Sequence, residues 1–176
     1  MAIISLVVIN VHTKKIKAKA FSLGQFSFFT RGKVRETLTF ISQELAEKLE
    51  TYEFQEYTHE FNDEKVYKLF SLVHNDYAYI ACADDGYPGI VALKLLQEAR
   101  HGNIEKLIDE YKDPASKHTL LQIQNEVEET KGALSKTLMA VLERNDKLED
   151  LVAKSEHLCY ETKLLFKSAK KKNKCC

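Results

Sequence analysis

Before Pro114, runs of apolar residues and short polar turns predict a small sheet. The first run is almost continuously apolar, as in a buried strand, and the second alternates lysine with apolar residues. Three further runs are separated by Asn-Asp pairs, which are typical of tight turns. Strands joined this closely pair in antiparallel fashion. The predicted strands are Ile3–Ile9, Lys14–Ala20, Phe54–Phe61, Val66–Val73 and Tyr77–Ala83.

Steps of three and four between apolar residues predict helices in the same part of the chain. Val34–Glu50 has apolar residues on one face and charged residues on the other. A second helix begins near Pro88, and a third covers Ile104–Tyr111 after a break at Gly102. This order of strands and helices indicates an α+β fold, with helices flanking a five-stranded antiparallel sheet.

After Pro114 the apolar pattern changes to a seven-residue repeat. The stretch 120–172 has no proline and a single glycine, and its repeat is filled mainly by apolar and small hydroxyl residues. Such a repeat predicts a long coiled-coil helix, roughly 80 Å at about 1.5 Å per residue. The predicted packing layers are Leu120, Ile123, Val127, Thr130, Leu134, Thr137, Val141, Leu148, Leu151, Ser155, Leu158, Thr162, Leu165 and Ala169.

Arg144 interrupts this apolar seam at its middle. A guanidinium buried in an apolar seam costs several kcal/mol unless acceptors satisfy it. The seam therefore favours partner helices that bring glutamines or carboxylates to the same layer, which would also set the register. The alternative is that Arg144 extends out of a loosely packed coil into solvent.

Composition excludes several classes of protein. The 26 basic and 26 acidic residues cancel, which excludes a global basic field for nucleic acid. No stretch approaches the roughly 18 uncharged apolar residues of a membrane span. The apolar N-terminus has no basic region before it, so it resembles a buried strand more than a signal peptide.

Cysteines and lysines at the C-terminus form a second candidate site. The spacing of Cys82, Cys159, Cys175 and Cys176 fits neither a disulfide framework nor a zinc site, which favours a reducing compartment. Adjacent terminal cysteines beside a basic stretch favour lipidation, since stable anchoring to a membrane takes two signals. The alternative is a solvated basic end with incidental thiols. The lysines of this stretch are Lys167, Lys170, Lys171, Lys172 and Lys174.

Catalytic and cofactor motifs are absent from the sequence. The six histidines form no HExxH pair, and neither GxSxG nor the GxxxxGK[ST] phosphate loop occurs. Cys82 lies in an apolar strand and is most simply a core residue, and Cys159 sits beside the Leu158 layer without an evident base to activate it. We therefore expect no enzyme activity, no metal and no cofactor other than covalent lipid.

Specific segments resemble a known family. Residues 141–151 closely resemble the centre of the R-SNARE motif of the synaptobrevin family. Phe26–Phe29, Val34–Phe40 and Ala83–Pro88 are similar to the longin domain, a profilin-like α+β domain. Together with the stretch Ser168–Cys176, they resemble the lipid-anchored longin R-SNAREs that have no transmembrane helix. The resemblance covers nearly the whole chain.

This resemblance implies an organisation and a function. It implies a longin domain over 1–112, a linker over 113–117, an R-SNARE motif over 118–172 and a lipidated tail over 173–176. Arg144 would form the central polar layer with three glutamines from partner SNARE helices, in a parallel four-helix bundle that drives membrane fusion in vesicle transport. Phe40 would help to hold the longin domain against its own SNARE segment as an autoinhibitory gate, although an ordinary core role fits its position nearly as well.

The resemblance also implies prenyl and palmitoyl groups on the terminal cysteines. The protein would then occupy the cytosol and, as a peripheral lipid-anchored protein, the cytoplasmic face of Golgi, endoplasmic reticulum and vesicle membranes. In the family, however, Cys-Cys precedes three more residues that a prenyltransferase reads, whereas this sequence stops at Cys176. A trimmed end, a processed end and a natural Cys-Cys end all fit.

Two other functions are consistent with parts of the pattern. A non-fusogenic longin adaptor would use the sheet and helices to bind partners in vesicle traffic. A protein acyltransferase, an activity proposed for longins of this type, has weaker support, because no nucleophile–base pair occurs at a suitable spacing.

Overall fold

A computed structural model of the chain describes residues 2–49, 52–60, 65–114, 136–156, 158–164 and 166. The part of the chain so described contains six strands and five helices, followed by a short helical stretch at 160–164. In chain order the elements are β1 (Ile3–Asn10), β2 (Ile16–Phe21), α1 (Arg31–Lys48), β3 (Gln55–Glu60), β4 (Val66–His74), β5 (Tyr77–Asp84), α2 (Gly89–Glu98), α3 (Ile104–Glu110), β6 (Lys136–Thr137), α4 (Leu138–Leu142) and α5 (Leu148–Lys154).

The strands form one sheet in the order β2-β1-β5-β4-β3-β6. Every neighbouring pair among β1 to β5 is antiparallel, which confirms the predicted strands and their pairing. The predicted helices are confirmed as well, with bounds that shift by a few residues. For example, α1 covers Arg31–Lys48 where the sequence predicts Val34–Glu50.

Both faces of the sheet are covered by helices, as predicted. Alternate residues of β1 point to opposite faces, because side chains alternate along a strand. Leu6 and Val8 pack with α2 and α3, whereas Val7 and Ile9 pack with α1. On the first of these faces the Tyr87 hydroxyl donates a 2.8 Å hydrogen bond to the Tyr111 carbonyl, and this bond closes the end of α3 onto the sheet.

The sheet has one strand more than the five predicted. β6 pairs in parallel with β3, with Lys136 opposite Tyr57 and Thr137 opposite Thr58. An edge strand such as β3 would present unpaired backbone N–H and C=O groups, and β6 forms hydrogen bonds with some of them. The extra strand therefore comes from the region after the predicted linker. This region adds a strand to the sheet.

The predicted long coiled-coil helix is not the conformation that the structure describes for residues 136–166. This part, called the C-terminal segment from here on, consists of β6, α4, α5 and the turn at 160–164. A single amphipathic helix without partners leaves its apolar stripe in water, so packing against the rest of the chain is preferred. The predicted residues 118–135 and 167–172 lie outside the described residues.

The C-terminal segment packs on the α1 face of the sheet. Its buried side chains Leu138, Val141, Leu142, Val152 and Leu158 belong to the same apolar cluster as the inner face of α1. Across the described residues, no helix combines the length and apolar character needed to cross a membrane.

Candidate functional site

The contact between α1 and the C-terminal segment is the candidate functional site. It contains most of the described residues that the heptad pattern marks as packing layers. Val141, Leu158 and Thr162 are buried there, and Leu148 and Leu151 are half-buried. The protein's own N-terminal domain therefore covers these five predicted layers fully or in part.

Three buried residues of the segment were missed by the heptad reading. Leu138, Leu142 and Val152 lie between the predicted layers, yet each is at most 2% exposed. Leu138 and Leu142 are four positions apart on α4, so they share one face with Val141. An apolar residue directly after a layer position was the available signal, because it widens the apolar stripe beyond a coiled-coil seam.

Other predicted layers are less covered or lie outside the described residues. Thr137 is exposed at the end of β6, and Ser155 is half-buried after α5. The earlier and later layers have no described position, and neither have the terminal cysteines and the tail lysines. The undescribed predicted residues are Leu120, Ile123, Val127, Thr130, Leu134, Leu165, Ala169, Cys175, Cys176, Lys167, Lys170, Lys171, Lys172 and Lys174.

Arg144 is exposed, in contrast to the layers around it. It lies in the turn at 143–146 that separates α4 from α5. Burial of a guanidinium requires acceptors in the same layer, and a turn avoids that cost by placing the side chain at the surface. The one polar layer of the predicted coil is thus the point where the segment bends.

Glu36 on α1 makes the principal polar contact with the segment. Its Oε2 atom accepts hydrogen bonds from the Cys159 N–H at 3.0 Å and from the Thr162 hydroxyl at 2.9 Å. Cys159 directly precedes the 160–164 helical turn, so the carboxylate lies at the N-terminus of that turn. A carboxylate is also the favoured charge at a helix N-terminus.

This arrangement lowers the pKa of Glu36. Partial burial raises the pKa, but the hydrogen bonds from the Cys159 backbone, the Thr162 hydroxyl and the Cys159 side chain outweigh it. The ionised form of Glu36 is therefore the one that holds the contact.

Two further contacts fix the end of the segment beside α1. The Phe40 and Phe166 rings meet edge to face, with centroids 5.8 Å apart and planes at 73°. Lys33 pairs with Glu161 at 3.0 Å, although both side chains are substantially exposed. An exposed pair contributes little energy, so the apolar contact carries most of the stabilisation here.

The sequence left two roles open for Phe40, a core residue or a contact with the C-terminal segment, and its position in the structure fits both. It is 2% exposed and belongs to the apolar cluster on the α1 face. One of its neighbours is nevertheless Phe166 of the C-terminal segment. Its predicted autoinhibitory role stays a prediction that this geometry makes testable.

Glu44 on α1 lies near the turn between α4 and α5. Burial is the main cause that raises the pKa of Glu44 on α1, and the nearby carboxylates of Glu47 and Asp146 raise it further against the lowering effect of Lys48. The neutral form of Glu44 is therefore more favoured here than in an ordinary exposed glutamate.

The two cysteines that the structure describes lie in different environments. Cys82 is fully buried in β5, and burial raises the pKa of its thiol well above the usual range, which disfavours the reactive thiolate. Cys159 is exposed, and its sulfur contacts the Thr162 hydroxyl at 3.2 Å. In the described part of the chain, no three His, Cys, Asp or Glu side chains are grouped to hold a metal ion.

Comparison with known proteins adds an independent result. The sequence profile of the family named Synaptobrevin matches residues 119–176. The VAMP-like protein YKT61 of Arabidopsis thaliana is 30% identical over 182 residues, which cover 92% of this chain and 89% of the relative. The synaptobrevin homolog ykt6 of Schizosaccharomyces pombe is 30% identical over 177 residues, covering 89% of this chain and 88% of the relative. The VAMP-like protein YKT62 of Arabidopsis thaliana is 33% identical over 172 residues, covering 87% and 83%.

Proposed function

This chain belongs to the synaptobrevin family of vesicle-transport R-SNAREs, and from that premise we propose that it drives fusion by joining three glutamine-bearing SNARE helices. Residues 118–172 would form a parallel four-helix bundle with them, zippering from Leu120 towards Lys172. Arg144 would supply the central polar layer, and the three glutamines would accept its hydrogen bonds. Proteins of this family are SNAREs and not enzymes.

One observation carries the regulatory half of this proposal. Val141, Leu158 and Thr162 are buried against the N-terminal domain, and the heptad pattern assigns the same three residues to the bundle. One side chain cannot fill both positions at once. Folding back onto α1 and assembly with partner helices are therefore alternatives, and the N-terminal domain would act as a gate.

The gate is a two-state equilibrium that partner helices shift. A ligand favours the state to which it binds more tightly, and partner helices bind only the open segment. The folded-back segment hides its layers but leaves Arg144 at the surface. We infer that opening begins at the bend, where residues 143–146 are exposed.

Attachment to a membrane would use the C-terminal tail. Lipids on Cys175 and Cys176 would supply the anchor, and lysines near an anionic leaflet add about 1 kcal/mol each. A prenyl group with a palmitoyl group provides the two signals that stable anchoring takes. Such a protein would act at the cytoplasmic face of Golgi, endoplasmic reticulum and vesicle membranes.

The test is assembly with three glutamine-bearing SNARE helices, measured as the thermal stability of the complex. Arg144→Ala should lower that stability, because the glutamines lose the group that pairs with them. Glu143→Ala is the matched control, since Glu143 is exposed in the same turn but lies outside the layers. If Arg144→Ala assembles as stably as the unaltered chain, and partners still bind residues 1–112 alone, the protein is an adaptor and the fusion proposal is wrong.

A further inference from the structure

Phe28 and Phe29 form an exposed apolar tip on the N-terminal domain. Their side chains are 79% and 89% exposed, the two highest values among the large hydrophobic residues that the structure describes. The rings contact each other edge to face, with centroids 5.8 Å apart. Water therefore surrounds two adjacent phenylalanines even when the C-terminal segment is folded back, and exposed apolar surface of this kind marks an interaction site.

An ordered loop, anchored at two residues, holds this tip away from the core. Residues 22–30, called the Phe28 loop from here on, connect β2 to α1. Leu23 is buried and Phe26 packs against the cluster on the α1 face, so these two residues anchor the loop. Hydrogen bonds from the Thr30 N–H to the Ser27 carbonyl and from Arg31 Nε to the Phe26 carbonyl, at 3.0 and 3.1 Å, fix the turn before α1.

The chain around the Phe28 loop is strongly basic. Residues 1–35 contain seven lysines and arginines and no acidic residue, although the whole chain has no net charge. Arg31, Lys33 and Arg35 follow the tip within seven positions, and Lys19 precedes the loop on the edge strand β2. Lys33 already pairs with Glu161, which leaves Lys19, Arg31 and Arg35 as the main sources of positive charge.

We propose that the Phe28 loop inserts Phe28 and Phe29 into an anionic membrane surface, with Lys19, Arg31 and Arg35 facing the lipid phosphates. Aromatic side chains beside cations are the combination that binds the interface between headgroups and acyl chains. The two rings protrude from a turn, whereas a partner helix or strand needs a groove or an open sheet edge. The charge of the surrounding residues selects an anionic lipid surface as the occupant.

This contact is separate from the lipidated tail and from SNARE assembly. The tail lies after the C-terminal segment, whereas the Phe28 loop lies before α1. The loop would orient the N-terminal domain on the same membrane that the tail holds. Because Lys33 pairs with Glu161 only when the segment is folded back, opening would add one more cation to the docking surface.

Insertion can be measured directly, because the chain contains no tryptophan. Phe29→Trp in the full, unlipidated chain places an indole at the tip. The contribution of the tail lysines is removed by Lys167→Gln, Lys170→Gln, Lys171→Gln, Lys172→Gln and Lys174→Gln. With vesicles that contain phosphatidylserine, we expect a blue shift of the emission and quenching by brominated acyl chains. Tyr52→Trp is the matched control, because Tyr52 is 69% exposed elsewhere on the domain and its indole should not respond.

Binding affinity supplies the second measurement. Phe28→Ser with Phe29→Ser should weaken binding to the same vesicles about tenfold or more, since two apolar rings no longer leave water. Tyr52→Ser should bind like the parent chain, and all variants should keep the parent's circular dichroism. Added salt should weaken binding of the parent chain, because exposed charges are screened.

Three results would overturn the proposal. The first is an indole at position 29 that stays in water with anionic vesicles. The second is equal binding to vesicles of phosphatidylcholine alone, which would remove the role of the cations. The third is a spectral response only when partner SNARE helices are added, which would make the Phe28 loop a protein docking surface.

Discussion

Glu36 accepts a hydrogen bond from the Thr162 hydroxyl at 2.9 Å across 126 positions of sequence. Thr162 is fully buried in this contact, so its hydroxyl requires an acceptor. In an assembled SNARE bundle the same threonine would be a packing layer between helices. The bond to Glu36 therefore belongs to the folded-back state alone.

Removal of the Glu36 carboxylate should open the gate. Glu36→Ala leaves the Cys159 N–H and the Thr162 hydroxyl without their acceptor, which costs the folded-back state about 1–2 kcal/mol. Phe166→Trp, introduced into the parent chain and into Glu36→Ala, reports whether the segment is folded back. An indole packed against Phe40 changes its emission when the segment is released. Glu105→Ala on α3, at the opposite face of the sheet, is the control and should leave the emission unchanged, because Glu105 is exposed and lies away from the α1 contact.

The same carboxylate should make the gate sensitive to acid. The pKa of Glu36 is lowered from its ordinary value of 4.5 in the folded-back state, so its contribution is complete above that value. The contribution is lost as the pH falls through the lowered pKa. The Phe166→Trp emission should shift towards that of the open form below pH 4.5. Glu36→Gln has no ionisable group here, and an equal shift in that variant would assign the acid response to other groups.

The Phe40–Phe166 contact should show measurable coupling. Phe40→Ala removes a buried ring and should destabilise the chain by about 3–5 kcal/mol, partly through the core. Phe166→Ala removes only the half-buried partner. A double-mutant cycle on urea unfolding isolates the pair, and we expect a coupling of about 1 kcal/mol. Additive effects would mean that Phe40 is an ordinary core residue and does not hold the segment.

The free energy of unfolding should decrease as the pH falls from 6.5 to 4, because His59 is held neutral in the folded chain. Burial lowers the pKa of His59 from 6.5 to about 4, so the folded chain holds this imidazole neutral while the unfolded chain protonates it. Its contribution is complete above pH 6.5 and is lost as the pH falls towards 4, by about 3 kcal/mol in total.

The comparison that isolates His59 is the urea midpoint of His59→Gln at pH 7.5 and pH 4.5. The variant should lose less stability than the parent chain over this interval. His12→Gln changes an exposed histidine in the β1–β2 turn and should retain the parent's pH response. Parallel pH responses in all three chains would show that His59 titrates normally.

Much of the N-terminal domain was predictable because its elements are stabilised by their own local pattern. Apolar residues alternate with polar ones in β4 and are almost continuous in β5, and an Asn-Asp pair separates the two strands. In α1 apolar residues recur every three to four positions. The burial of Phe40 could not be assigned from that repeat, since its position suits either the sheet side or the side that contacts Phe166. Glu36 had no signal at all, because its partners are more than a hundred residues away in sequence.

The amino-acid sequence by itself determined the strand and helix positions before Pro114 and the family, and it predicts a set of apolar layers with Arg144 at the middle. These follow from periodicity and residue type, which act over a few neighbouring positions. Only the tertiary structure decided which surface covers those layers. A seven-residue repeat predicts that an apolar stripe is buried. It does not specify the burying surface, because either partner helices or the protein's own α1 can cover the stripe. In the single chain α1 is the apolar surface at hand, so the segment bends at Arg144 and packs there.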